Sequence, residues 1–159
     1  MTRLVEHLET TASQESSFAF IADFANAMHW DPGVATSEQI SDGPAGVGTR
    51  YRLGVKLGSR VAPMEYEITR FEPPARVVLV GSGSGVTAVD EIRFSPARSG
   101  TGTRIDYTAD IRLRGLMRLV QPFLGRAFDA IGRNAMDGMQ RALDAGTGMA
   151  ERHDGTVPA

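Results

Sequence analysis

The chain has 159 residues, 42% of them hydrophobic and 23% charged, with a formal net charge of -2. That is the size and balance of one ordinary globular domain that can bury its own core, and it excludes a disordered chain. The arginines are scattered with acids among them, so no nucleic-acid partner is expected, and the absence of cysteine removes disulfides, thiolate metal sites and thiol nucleophiles.

Glu6 and Glu9 interrupt any apolar run near the start, so neither a signal peptide nor a membrane span is expected there, and the chain reads as cytoplasmic. Arg3 to Thr11 lacks a helical period and reads as a first strand whose buried face is ambiguous. Ser13, Glu15 and Ser16 suit a helix start, after which Phe18, Ile21, Ala22 and Ala25 mark an apolar face. Asn26 to Gly33 holds a pre-proline residue and a glycine, which predicts a turn into the sheet.

From there to Leu113 the dominant period is two, as expected for a meander of antiparallel strands. Tyr51, Leu53, Val55 and Leu57 alternate with Arg50, Arg52 and Lys56, and Met64, Tyr66 and Ile68 alternate with Glu65, Glu67 and Thr69. Phe71-Glu-Pro-Pro-Ala75 turns the chain, because paired prolines cannot donate to a ladder. Val77 to Val80 form the next strand. Gly81-Ser-Gly-Ser-Gly85 invites a nucleotide reading, but a phosphate-cradling loop must run from a strand into a helix, and here a further strand, Val86 to Ser95, follows. After the polar turn from Pro96 to Gly102, the residues Ile105, Tyr107, Ala109, Ile111 and Leu113 share one face.

Beyond Gly115 the period becomes helical, with Leu116, Val120, Phe123, Ala127, Ile131, Ala135, Met139 and Ala142 recurring until Gly146 and with Pro122 marking a first turn or kink. Residues 146–159 have little apolar content and read as a flexible tail. The order is therefore a strand, a short helix, about six strands and a helix of roughly 25 to 30 residues, near 40 Å long. A strongly bent sheet cannot close its concave face with its own side chains, so the helix plugs it and the remaining gap becomes a cavity. The expected fold is an α+β domain over residues 1–145, a curved antiparallel sheet of about seven strands wrapped around a long C-terminal helix.

Several stretches in this order resemble the SRPBCC or START-like superfamily, and within it the polyketide cyclase/dehydrase and lipid-transport-like group. They are Ala12-Ser13 before Phe18 to Asp23, His29-Trp-Asp-Pro-Gly33, Gly46-Val-Gly-Thr49, Tyr66 to Pro74, Gly100-Thr-Gly-Thr-Arg104, and Gly115 before the last helix. The resemblance spans roughly residues 3 to 145 and implies the helix-grip fold. It is poorly specific for function, because lipid carriers, hormone receptors, cyclases and chaperone activators share that scaffold.

Asp90 shares its strand parity with Ala88, Ile92 and Phe94, so it should face inward, where burial raises a carboxyl pKa and makes it an acid or base. Tyr107 is its expected catalytic partner. The alternative is that Asp90 bonds a backbone amide or an arginine, or that a bulge reverses its parity. Trp30 either walls a cavity mouth or plugs the core, and Tyr51, Tyr66 and Tyr107 either pack or aim their hydroxyls at a ligand. Val55, Met64, Val78, Ile92 and Ile111 on the strands, with Phe123, Phe128, Ile131 and Met139 on the helix, complete the expected ligand-lining set. Gly125, Gly132 and Gly138 recur along the helix and imply either close packing or room for a ligand. His7 and His29 lie far apart and His153 falls in the tail, so neither a metal nor another cofactor is expected.

No complete catalytic set is visible, so the leading expectation is a binder of a small hydrophobic molecule such as a lipid, polyketide or aromatic compound. The resemblance implies two alternatives, a polyketide aromatase/cyclase or dehydratase using cavity Asp and Tyr residues, and a chaperone-activator-like interaction module. It leaves a homodimer open.

Overall fold

The protein is described by a computed structural model covering residues 1–83, 85–123 and 125–153. The chain forms β1 (Thr2–Thr10), α1 (Gln14–Ala22), a 3-10 turn (Phe24–Asn26), α2 (Ala27–Trp30), β2 (Val34–Gln39), β3 (Arg50–Leu57), β4 (Arg60–Glu72), β5 (Arg76–Gly83), β6 (Val86–Pro96) and β7 (Thr103–Leu113). Two further 3-10 turns, Gly115–Leu119 and Gln121–Phe123, lead into α3 (Gly125–His153). The strands make one antiparallel sheet in the order β1-β7-β6-β5-β4-β3-β2, a meander from β2 to β7 to which β1 is added at the far edge.

Ser13 caps α1 by accepting a hydrogen bond from the Ser16 backbone N–H, as its sequence position predicts. The stretch read as a turn after α1 contains instead a 3-10 turn and the short α2, because Asp23 accepts from the Ala25 N–H at 3.1 Å and restarts the helical path. The apolar face of α1 covers one end of the sheet, where Phe18 meets Phe71 and Phe94 edge to face at 5.2 and 5.3 Å. A bulge between Ile68 and Arg70 lets Phe71, rather than Arg70, join that core.

α3 is fixed along β1 and α2. Gln140 Nε2 donates to the Glu9 carbonyl at 2.9 Å, and Asp144 accepts from the Thr10 hydroxyl at 2.6 Å. Gly132 sits against the Glu6 side chain, while a Cβ at Gly138 would overlap the Trp30 carbonyl oxygen. These two glycines are thus explained by close approach, to β1 and to α2. The buried stripe of α3 is Ala135, Met136, Met139 and Leu143, so the helix sits in a register that leaves Ile131 49% exposed.

Two boundaries differ from the sequence reading. The helix begins at Gly125 rather than soon after Gly115, since Pro122 cannot donate an N–H and Gly115 takes a left-handed φ of 60°. Leu116 and Phe123 are consequently 85% exposed and stand outside the core. At the other end α3 continues past Gly146 to His153, because an interior glycine costs a helix only about 1 kcal/mol and no proline intervenes there. The remainder of the expected tail, residues 154–159, lies outside the described residues.

The two glycine environments in α3 separate cleanly by substitution. Gly138→Ala should destabilise the protein by about 1–3 kcal/mol by forcing α2 from the helix, whereas Gly146→Ala, with nothing within 4 Å of its added Cβ, should be neutral or stabilising by up to ~1 kcal/mol. Urea unfolding midpoints of the two variants measure this; equal effects would contradict the packing described.

Candidate functional site

Alternation along β6 places Val86, Ala88, Asp90, Ile92 and Phe94 on the concave face, and Asp90 is 3% exposed. Its rung across the sheet is Leu79, Asp90 and Ala109. The parity inferred from sequence therefore holds. The polar groups that bear on the Asp90 carboxyl are the hydroxyls of Tyr107 and Tyr66, so two phenols, rather than an arginine, face it.

Small neighbours make that meeting feasible. Tyr66 stands directly opposite Gly81, which in turn faces Ala88. A Cβ on Gly81 would lie only 2.5 Å from the Tyr66 ring, so the absence of that atom lets the ring lie flat across β5 toward β6. Gly83 similarly admits the Pro63 carbonyl and Met64, and Gly85 turns the hairpin at φ 82°. The glycine run thus serves close packing and a turn within a hairpin. From the opposite side Tyr107 reaches Asp90 diagonally, past Ala109 on the adjoining strand.

Burial pushes the Asp90 carboxyl up to about 7, opposed by the two phenols and reinforced by the negative charges of Asp31 and Asp110. Tyr66 and Tyr107 are both pushed well above the ordinary phenol range, first by burial and then by the Asp90 charge. Asp31, which accepts from the Gly33 N–H at 2.7 Å, is raised by burial against the lowering effect of that bond and of Lys56. Near neutral pH Asp90 therefore divides between a proton donor and an acceptor while both phenols stay protonated. Such a triad can hydrogen-bond a carbonyl or hydroxyl oxygen, or move a proton.

An aromatic wall adjoins the triad. Phe24 packs against Tyr66 at 5.4 Å, Trp30 at 6.1 Å and Tyr51 at 6.2 Å between ring centroids. Trp30 is 3% exposed and belongs to the core, yet its indole Nε1 is buried without a hydrogen-bond partner. The Tyr51 hydroxyl is also buried, and burial followed by the neighbouring Asp23 holds it above the ordinary phenol range.

The other expected site residues divide into three groups. Val55, Met64 and Ile111 lie on the concave face with Tyr66 and Tyr107, and Phe128 is half-buried on α3. Ile92 and Met139 are fully buried core residues. Val78 is a correction: it pairs with Glu91 on the convex face, because Val77 and Leu79 are the inward residues of β5. Phe123 and Ile131 are also corrected, being exposed to solvent for the reasons of helix start and register given above. The sequence reading missed Asp31 and Phe24. Both lie in the segment between α1 and β2, which carries no clear period and is placed beside Tyr66 only by tertiary packing.

Under the C-terminal half of α3 the interior is filled, with Tyr51, Ile68, Leu79, Ile92, Ile105 and Met139 showing no solvent exposure. Toward the end of the sheet where β6 begins and β7 stops, the inward residues Val55, Val86, Tyr107 and Ile111 are only partly buried, so the concave face is less closed there. A surface cleft of about 350 Å³ runs along the α2–α3 seam beside Trp30, Asp31 and Arg141. Another, of about 510 Å³, lies between α1 and the β4–β5 turn, lined by Phe18, Ala22, Phe71 and Pro73. Among the described residues no group of three or more His, Cys, Asp or Glu side chains is arranged to hold a metal ion.

The fold is shared with solved structures of low sequence identity. A protein from Thermus thermophilus superposes with a TM-score of 0.74 at 16% identity, covering 91% of this chain and 99% of its own. The Zhui aromatase/cyclase from a Streptomyces species gives 0.73 at 14% identity, covering 98% of this chain and 99% of its own. A START superfamily protein from Mycobacterium smegmatis gives 0.70 at 13% identity, covering 93% and 98%. Among curated proteins none matches the chain. The family model described as polyketide cyclase / dehydrase and lipid transport matches residues 1–145. With that match spanning the strands, the short helices and most of α3, the chain belongs to the polyketide cyclase/dehydrase and lipid transport family.

Proposed function

We propose that the protein binds a small, largely apolar molecule on the concave face of its sheet and holds a carbonyl or hydroxyl oxygen of that molecule at Asp90, Tyr66 and Tyr107. The observation that carries this reading is a carboxyl 3% exposed that two phenols face, on a side of the sheet otherwise apolar. An apolar body is accommodated by Val55, Met64, Val86 and Ile111 at the open end, and the oxygen reaches one rung deeper. Membership of a family that includes lipid transport agrees with an apolar guest. The test is titration with a bicyclic aromatic ketone followed by fluorescence or calorimetry. Binding should strengthen as pH falls through about 7, where Asp90 gains the proton it donates to the ketone, and Asp90→Asn should remove that dependence. Tyr66→Phe should weaken binding about three- to tenfold, the usual worth of one hydrogen bond. A ketone, a naphthol and a fatty acid that all fail to bind would refute the reading.

A second reading, catalysis at the same carboxyl, is favoured by the balance of Asp90 between its two protonation states. The carboxylate removes a proton from carbon next to a ketone while a phenol hydrogen-bonds the developing enolate oxygen, as an aromatase/cyclase or dehydratase requires. With a poly-β-ketone thioester as substrate, Asp90→Asn should lower kcat at least ~100-fold. Unchanged turnover in that variant would remove Asp90 from the chemistry.

The same carboxyl has a signature in stability. Its folded-state pKa, about 7, exceeds the free value of 3.8, so the folded protein holds a proton that the unfolded chain releases. Its contribution is therefore favourable at low pH and is lost as pH rises from about 4 through about 7. The stability difference between wild type and Asp90→Asn should move in favour of the variant over that range, by at most on the order of 4 kcal/mol. A pH-independent difference in urea unfolding would show that Asp90 is not shifted.

A further inference from the structure

We propose that one end of the sheet is a docking surface for a bilayer containing anionic lipid. This inference stands apart from the ligand reading above. Its centre is the connector between β7 and α3, two short 3-10 turns that contribute no residue to the core. Leu116 and Phe123 are each 85% exposed and Leu119 is 72% exposed, with Val120 and Met117 partly exposed beside them. Gln121 ties this connector to the edge strand through the Thr2 hydroxyl at 3.1 Å, and the Arg114 N–H donates to the Gly85 carbonyl at 2.7 Å. The apolar side chains are thus held outward by a backbone anchored on both sides.

Strand register brings a second element to the same end. β7 stops at Leu113 opposite Val86, and β5 ends at Gly83 against Pro63 and Met64. β4 begins at Arg60 opposite Leu57, so the β3–β4 hairpin points the same way. Its Leu57 and Val61 are 50% and 56% exposed, and Lys56 and Arg60 flank them.

Charge selects the partner. Between Asp110 and Asp129 the chain carries Arg112, Arg114, Arg118 and Arg126 and no acid, all four arginines being exposed, although the protein as a whole is net negative. Protruding leucine and phenylalanine side chains ringed by arginine match an interface in which apolar groups enter the acyl boundary while guanidinium groups meet lipid phosphates. A second copy of the chain would bring these like charges together and is disfavoured. The surface also lies at the end where the inward residues Val55, Val86 and Ile111 are least buried.

Sedimentation of the full chain with vesicles tests this. Binding to vesicles of phosphatidylcholine with about a third phosphatidylglycerol should exceed binding to phosphatidylcholine alone by at least ~10-fold, and should weaken in about 0.5 M salt. Arg114→Glu with Arg118→Glu should lower the partition constant roughly tenfold or more, and Leu119→Ser with Phe123→Ser should lower it comparably. These side chains are exposed, so unfolding midpoints and ketone binding on the concave face should be unchanged, which separates this outcome from failure of the ligand reading. Equal binding to both vesicle types, binding unaffected by either double variant, or a solution dimer that Leu119→Ser dissociates would each overturn the proposal.

Discussion

Two phenol rings reach one buried carboxyl only because the sheet positions between them carry almost no side chain. Gly81 gives the Tyr66 ring a flat path over β5, Ala88 leaves the next strand open, and Ala109 leaves room beside Asp90 for Tyr107. Larger residues at these places would fill the concave face as Ile68, Leu79, Ile92 and Ile105 fill it nearby. The core is therefore tightly packed on one side of Asp90 and apolar but only partly buried on the other, within a few residues of the same strands.

A carboxyl in that position is costly unless protonated or hydrogen-bonded, since burial penalises its charge more than two neutral phenols can offset. The protein accommodates the cost by letting the group titrate near neutrality rather than by supplying a cation. An arginine or lysine beside Asp90 would have held it ionised and limited it to accepting hydrogen bonds. With phenols as partners it can donate as well, so the same geometry suits either holding an oxygen atom or exchanging a proton with it. Binding and catalysis by this site differ in what the guest offers, not in how the site is built.

The same division between closed and open regions runs along α3. Its later half is clamped by Gln140 and Asp144 on β1 and by the close approach of Gly138 to Trp30, which seals the interior. Its approach from β7 is two 3-10 turns whose apolar residues are left in solvent. The helix thus closes one end of the curved sheet and leaves the other accessible, and the apolar and basic surface gathers at the accessible end.

Much of the architecture was legible from period alone. Alternation identified the strands from β3 to β7, the inward parity of Asp90, Tyr66 and Tyr107, and the presence of a long terminal helix, because side-chain direction in a strand follows strictly from position. Local rules failed where distant contacts decide. The start of α3 depends on how the connector is pinned to Thr2 and Gly85, the face of β5 that Val78 occupies depends on its pairing with β4 and β6, and the register of α3 depends on which glycine meets Trp30. Asp31 and Phe24 join the site only because the segment between α1 and β2 packs beside Tyr66. The sequence carries the periodicities within each element; which faces meet, and how far a carboxyl's proton is shifted, arise from burial shared among residues far apart in the chain, which no local pattern encodes.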